Sequence, residues 1–264
     1  MLSLWRGPGA EPLAFLPHAV SRYTLGPMQD DPRLFTQAPL AAGLAVSLSP
    51  AQAHYLGAVM RRGPGDSVRL FNGRDGEWRA RLTALRKDRA AVEVTGRLRA
   101  QEPEPDLWLL FAPLKRDATD LVVQKATELG VSALLPVFTE RTNAGRMNLE
   151  RLTAIATEAA EQSERLSVPR LEQPRRLTDT LGDWDPTRLL AAAIERAALP
   201  QIGAPAGALL VGPEGGFSQV ELDALRARPF VVPVSLGRMV LRAETAAIAG
   251  LALLQAQATL DSRT

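Results

Sequence analysis

Cysteine is absent from the 264-residue chain, which removes disulfides, thiolate metal ligands and a cysteine nucleophile together. Histidine is nearly as scarce, since His18 and His54 are the only imidazoles. A zinc enzyme is therefore not expected, and neither is any other metal site. No apolar stretch reaches the ~18 residues that suggest a membrane span. The first twenty residues carry Arg6, Glu11 and three prolines, so they lack the uninterrupted apolar segment of a signal peptide. These absences predict a cytoplasmic protein with no membrane partner. What is present is a 46% hydrophobic composition, enough to bury a sizeable core in one domain or two.

A strong excess of either charge is also missing, because the formal net charge is only +2. Its distribution is uneven. Residues 33–100 hold twelve basic and five acidic side chains, a net +7, whereas residues 101–264 hold seventeen and twenty-one, a net −4. A basic segment joined to a mildly acidic remainder has the form of a polyanion-binding module attached to something else. A solvated basic surface is the alternative on charge alone.

Residues 1–32 are rich in proline and glycine, lack sustained periodicity, and are expected to be a poorly ordered extension. From Arg33 the pattern changes to short alternating runs. Ser67–Phe71 and Glu77–Leu82 flank Asn72-Gly73, a hairpin signal. Ala90–Val94 supplies a further strand, so residues 33–100 are predicted to form a small basic β-barrel or sheet with one short helix near Ala51–Arg61. The acidic, proline-broken Gln101–Asp106 reads as a linker. Beyond it, residues 101–264 alternate apolar runs of strand length with helical patterns. The strands are Leu107–Ala112, Ala133–Phe138, Leu189–Ala193, Ala208–Val211 and Phe230–Val234; the helices are Thr119–Leu129, Leu149–Arg165 and Glu244–Gln257. In the Leu149–Arg165 helix, Leu152, Ile155 and Ala159 share one side and Glu150, Glu158 and Glu161 fall largely elsewhere. Such alternation predicts an α/β domain with a mostly parallel sheet, whose ligands sit beyond the carboxyl ends of the strands.

Two loops at such ends stand out. The first, Gly212-Pro213-Glu214-Gly215-Gly216, lies between a strand and a helix announced by a Ser218/Glu221 capping box and a Phe217/Leu222 staple. Its bare backbone is suited to reading an adenine edge. It carries no Lys-Ser/Thr and no G-x-G-x-x-G spacing, so ATP and dinucleotide readings lose support. The second, Ser235 to Ala246, offers Leu236 and Gly237 to a pocket and places Arg242 and Glu244 at the start of the last helix. A tight structural turn and an exposed ion pair are the alternatives that spacing leaves open.

The sequence resembles the RsmE family of small-subunit ribosomal RNA uracil-N3 methyltransferases, of the SPOUT class. Beyond the Gly-Pro-Glu-Gly-Gly loop and Leu-Gly-x-x-x-Leu-Arg-x-Glu-Thr-Ala, the likeness runs through Ala53–Leu56, Val59–Arg61, Gly65-Asp66, Pro113–Arg116, Gln124–Val131, Pro136, Thr139–Arg141 and Ala160–Ser163. Met239 departs from it, standing where the family often has arginine, with Arg238 one position earlier.

The resemblance implies a trefoil-knotted parallel-sheet methyltransferase domain at 101–264, preceded by a PUA-like β-barrel at 33–100 that binds RNA. It implies a homodimer, S-adenosylmethionine as cofactor, and 16S ribosomal RNA or the assembled small subunit as partner, the target being a uridine in the decoding region. The cofactor site then maps onto Leu190, Ala191, Val211, Gly212, Pro213, Glu214, Gly215, Leu236, Gly237, Met239, Val240, Leu241 and Arg242. A uracil N3 carries a proton and is a feeble nucleophile. Arg242 is therefore assigned to stabilising the ring anion, and Glu244 is a candidate base with a helix cap as its alternative role. Candidate RNA contacts are Arg33, His54, Arg61, Arg62, Lys115, Lys125 and Arg141. The rival readings are a SPOUT enzyme acting on transfer RNA ribose and a non-catalytic dimeric RNA-binding protein. The first usually ends its last motif in Ser-Leu-Asn, where this chain has Leu241–Thr245. A nucleotide-dependent oxidoreductase lacks both its glycine spacing and its acidic residue.

Overall fold

The computed structural model describes residues 31–143, 145, 147–194 and 206–261, with side chains to 257. The extension expected at 1–32 lies almost wholly outside them. Two sheets are built from the described residues. The first contains β1 (Arg33–Phe35), β2 (Ala45–Leu48), β3 (Ser67–Phe71), β4 (Glu77–Leu85) and β5 (Ala90–Arg99), in the order β1-β3-β4-β5-β2. Only the β1–β3 pair is parallel. Period-2 alternation sends Val68, Leu70, Ala80, Leu82, Val92 and Val94 into one core, closed by Ala53 and Leu56. These last two come from α1 (Pro50–His54) and the π-helical turn Tyr55–Val59 that continues it. Met60 caps the turn, and Arg61 after it has a φ of 53°, in the left-handed region.

The Asn72-Gly73 signal does mark the β3–β4 connection, but the loop spans 72–76 rather than a two-residue turn. Asn72 Oδ1 accepts from the backbone N–H groups of Arg74 and Asp75, at 3.0 and 2.9 Å, and this holds the wider loop.

The second sheet is parallel throughout. It contains β6 (Trp108–Phe111), β7 (Ala133–Phe138), β8 (Arg170–Leu171), β10 (Leu190–Ala193), β11 (Ala208–Val211) and β12 (Val231–Val234), ordered β12-β10-β11-β6-β7-β8; β9 (Arg175–Arg176) pairs with β7 off this path. One face packs on α2 (Arg116–Glu128), α3 (Leu149–Gln162) and α6 (Ala243–Asp261), through Leu109, Phe111, Ala191 and Leu209 among others. The other face packs Leu110, Leu190, Ala192 and Leu210 against α4 (Leu177–Gly182), Trp184 and α5 (Gln219–Arg226). Successive strand residues thus enter opposite cores, which is why these strands read as continuous apolar runs. Five elements, β1, β2, β8, β9 and α4, were not expected, and α2 begins three residues earlier than the pattern predicted.

Where the first sheet meets α3, two expectations are corrected. Arg33, a candidate RNA contact, is 7% exposed. Its Nε donates to Glu77 Oε1 at 2.5 Å, its Nη1 to the carbonyls of Ala160 and Glu161, and its Nη2 to that of Arg165, while the guanidinium lies over the Phe71 ring. Those donors are committed to the protein, so Arg33 is a structural cation. Glu161, expected away from the packed side of its helix, accepts a hydrogen bond from Phe35 N at 2.9 Å. Burial pushes its carboxyl up, against the opposing pull of the Phe35 N–H and Arg33. Gln101–Asp106, expected as a linker, has no regular secondary structure and is anchored: Glu104 pairs with Arg165, and Asp106 with Arg188 and Ser132.

Candidate functional site

Parallel register brings three strand ends level. Ala193 stands opposite both Val211 and Val234, so the segments after β10, β11 and β12 leave the sheet at one edge. A cavity of about 770 Å³ opens there, within the roughly 300–1,000 Å³ of small-molecule sites. The Gly212–Gly216 loop and the Ser235–Leu241 loop form most of its wall, with Ala243 and Ala246 from the first turn of α6.

The glycine loop is shaped by its neighbours. A Cβ on Gly212 would meet the Phe217 ring at 3.0 Å, so the close approach of ring to backbone favours glycine there, and any side chain would make the ring give way by a few tenths of an ångström. Gly216 has φ +67°, which turns the chain into α5. The helix then starts as expected, with Ser218 Oγ accepting from Glu221 N and Glu221 Oε2 accepting from Ser218 N. Glu221 has a further role that the spacing did not reveal. Its Oε1 accepts from Glu140 N at 2.7 Å, which ties the loop after β7 to the start of α5.

The structure brings together most, but not all, of the residues nominated for the cofactor. Val211, Gly212, Pro213, Glu214, Gly215, Leu236, Gly237, Met239, Val240 and Leu241 line the cavity. Leu190 and Ala191 do not; they are 0% and 1% exposed inside the sheet, and Ala193 and Ile194 at the end of the same strand take their place. Ligand access is set by the carboxyl end of a strand, not its start. Arg242 is exposed between two lining residues, Leu241 and Ala243, but is not itself in the wall, and Glu244 is half-buried in the first turn of α6. Met239 is 79% exposed at the rim.

Of the other nominated cations, His54, Arg61 and Lys115 are exposed, Arg62 is half-buried, and Lys125 is paired with Glu128 at 2.8 Å. Arg141 lines the cavity, and its Nη1 donates to the Gly215 carbonyl at 2.9 Å. It follows the carboxyl end of β7, so the rule that singled out the loops after β11 and β12 would have found it too. No group of three or more potential metal-binding side chains occurs among the described residues. No helix among them is long and apolar enough to cross a membrane.

The family described as RNA methyltransferase domain matches residues 101–255, and the RNA methyltransferase PUA domain matches residues 48–95. The chain belongs to this RNA methyltransferase family. Its relatives include the ribosomal RNA small subunit methyltransferase E of Rickettsia conorii, 34% identical over 83% of this chain and 93% of that protein. The namesake from Synechocystis is 37% identical over 82% and 74%. Among solved structures, the Neisseria gonorrhoeae ribosomal RNA small subunit methyltransferase E, bound to S-adenosyl methionine, superposes with a TM-score of 0.76 at 31% identity, covering 86% of this chain and 97% of that one. A Legionella pneumophila methyltransferase in complex with the same cofactor gives 0.77 at 30% identity, with the same coverage.

Proposed function

We propose that this protein uses S-adenosylmethionine to methylate N3 of a uridine in 16S ribosomal RNA. The observation that carries the reading is the cavity at the strand ends, walled by bare glycine backbone and apolar side chains in a chain of the RNA methyltransferase family. Its volume suits the cofactor, the amides and carbonyls around Gly212 and Gly215 suit an adenine edge, and Leu236, Val240 and Leu241 suit the ring faces. When bound, the cofactor supplies an electrophilic methyl group. The protein's part is to align uracil N3 with that carbon and to handle the N3 proton. Arg242 is placed beside the wall, where a guanidinium that stays charged can hold a ring carbonyl as negative charge develops. Glu244, two residues on, is the candidate proton acceptor or a helix cap.

The first sheet, with its surrounding +7 charge and exposed His54 and Arg61, is read as the RNA-holding domain spanning 33–100, and 101–264 as the knotted catalytic domain. Homodimerisation is supported by α6, which carries no charged side chain from Thr245 to Gln257 and exposes Ala252, Leu253 and Ala256. The cytoplasm is the compartment in which such a substrate is met.

The test is mass spectrometry of nuclease-digested small-subunit RNA from cells lacking this protein. Naked RNA and assembled subunits are incubated in parallel with purified protein and S-adenosylmethionine. N3-methyluridine in either is the expected result. Its absence from both, with the cofactor bound, moves the assignment to transfer RNA; absence of cofactor binding leaves a dimeric RNA-binding protein.

A further inference from the structure

The loop after β7 is fixed at two points that share no residue, one on the start of α5 and one on the glycine loop. Glu140 N donates to the buried Glu221 carboxylate, and Arg141 Nη1 donates to Gly215 O. The turn itself is closed, with Thr139 N donating to Thr142 Oγ1 at 2.9 Å and Thr142 N to Thr139 O at 3.1 Å. Arg141 is therefore held at both backbone and side chain, a preorganised cation rather than a waving surface one. A guanidinium has five N–H donors in a planar fork, and among the described residues the Gly215 carbonyl is the one hydrogen-bond partner of this side chain. No carboxylate pairs with it among the described residues, unlike Arg151, Arg165 and Arg188 of the same domain. It is exposed and lines the cavity, as does Arg238 from the loop after β12. Two guanidiniums against the single carboxylate of Glu214 leave the lining net positive.

We propose that Arg141 is a phosphate-binding residue at the mouth of the cavity. With one arm it holds the Gly215 carbonyl, and with the rest of its fork it grips a backbone phosphate of the RNA strand beside the target base. One side chain then fixes both the cofactor loop and the substrate, so the base arrives in register with the methyl group. Arginine suits this double duty because its donors are directed and its charge does not titrate, whereas lysine offers a single point charge. The inference rests on the RNA methyltransferase reading and adds where the RNA backbone is held.

The test uses the full chain as wild type, Arg141→Ala and Arg141→Lys. A fluorescein-labelled fragment of the 16S decoding region is titrated by anisotropy over a series of salt concentrations, and S-adenosylmethionine affinity is measured by calorimetry. Loss of one phosphate contact on a single strand lowers the slope of log K against log salt by about 0.7. Arg141→Ala is expected to show that drop, with RNA affinity falling about tenfold, while Arg141→Lys keeps the slope. Cofactor affinity is expected to stay within about threefold, because the start of α5 keeps its tie to Glu140 and the glycine loop loses a single hydrogen bond at its exposed side. An unchanged slope in Arg141→Ala overturns the proposal. If S-adenosylmethionine binding falls at the same time, Arg141 serves the cofactor alone. Should wild type bind the RNA without methylating it, the proposed function fails while the slope still reports on Arg141.

Discussion

Arg33 Nε stands 2.5 Å from Glu77 Oε1, and both side chains are 3% exposed. The ion pair lies where the first sheet meets α3, with Arg99 on the other Glu77 oxygen at 2.8 Å and three backbone carbonyls on the Arg33 guanidinium. Removing one partner strands a buried charge, which costs about 3–5 kcal/mol. Glu77→Gln and Arg33→Ala should each lower stability by that order in chemical denaturation, and the double variant should lose less than the sum.

The same junction has an acid response of known sign. Burial alone would raise the Glu77 carboxyl, but hydrogen bonds and charges from Arg33 and Arg99 outweigh it and hold it below the usual glutamate range. Its contribution is complete above the unfolded value and is lost as pH falls through the folded one. Glu161 behaves oppositely. Its raised carboxyl stabilises while protonated, and that contribution is lost as pH rises from the ordinary glutamate range through the folded value. Thermal midpoints measured from about pH 3 to 7 should show the acid loss weakened in Glu77→Gln. The decline above the ordinary glutamate range should be weakened in Glu161→Gln. Parallel profiles for wild type and both variants would contradict the assignment.

At the cavity, Gly212→Ala puts a methyl group 3.0 Å from the Phe217 ring, so loop or ring must move. Overpacking of this kind costs about 1–3 kcal/mol, and here it falls on the wall meant for the cofactor. Calorimetry should show S-adenosylmethionine binding weakened about tenfold, the fold-change corresponding to about 1.4 kcal/mol. Unchanged affinity would remove the glycine loop from the cofactor site.

Arg242→Ala separates chemistry from binding. The side chain stands outside the cavity wall, so cofactor affinity should hold, whereas losing a donor to developing charge lowers kcat by about 10²–10³. Undiminished turnover would discard the role.

Much of this architecture was legible because parallel strands buried on both faces announce themselves as apolar runs, and β7 matches the expected Ala133–Phe138. The elements missed, β1, β2, β8, β9 and α4, span three, four, two, two and six residues, too short for a period to be counted. Arg33 was misread for a different reason. Its partners lie 44 to 132 residues away, and burial by distant segments leaves no trace in a local charge pattern. The candidate cavity was legible where its wall lies in loops punctuated by glycine, and shifted at β10, where register with β11 and β12 makes Ala193 and Ile194 the lining residues. The Glu140–Glu221 tie joins positions 81 apart and has no local signature.

Helix α6 tests the proposed dimer. Its inner face is packed, with Ala247, Leu251 and Leu254 in the core and Gly250 so close to β11 that a Cβ would lie 2.7 Å from Leu209 Cδ2. Its outer face is apolar as well, with Leu253 45% exposed, and a helix apolar all round is expected to be buried on both sides. Gly250→Ala should therefore destabilise the fold itself, by about 1–3 kcal/mol. Leu253→Glu should instead leave the monomer's thermal midpoint near that of wild type but place an uncompensated charge in the interface. Sedimentation velocity should show a dimer for wild type and a monomer for the Leu253→Glu protein. A variant that stays dimeric would move the interface off this face of α6, because a glutamate at its centre has no solvent to reach and no cation on the helix between 245 and 257 to meet it.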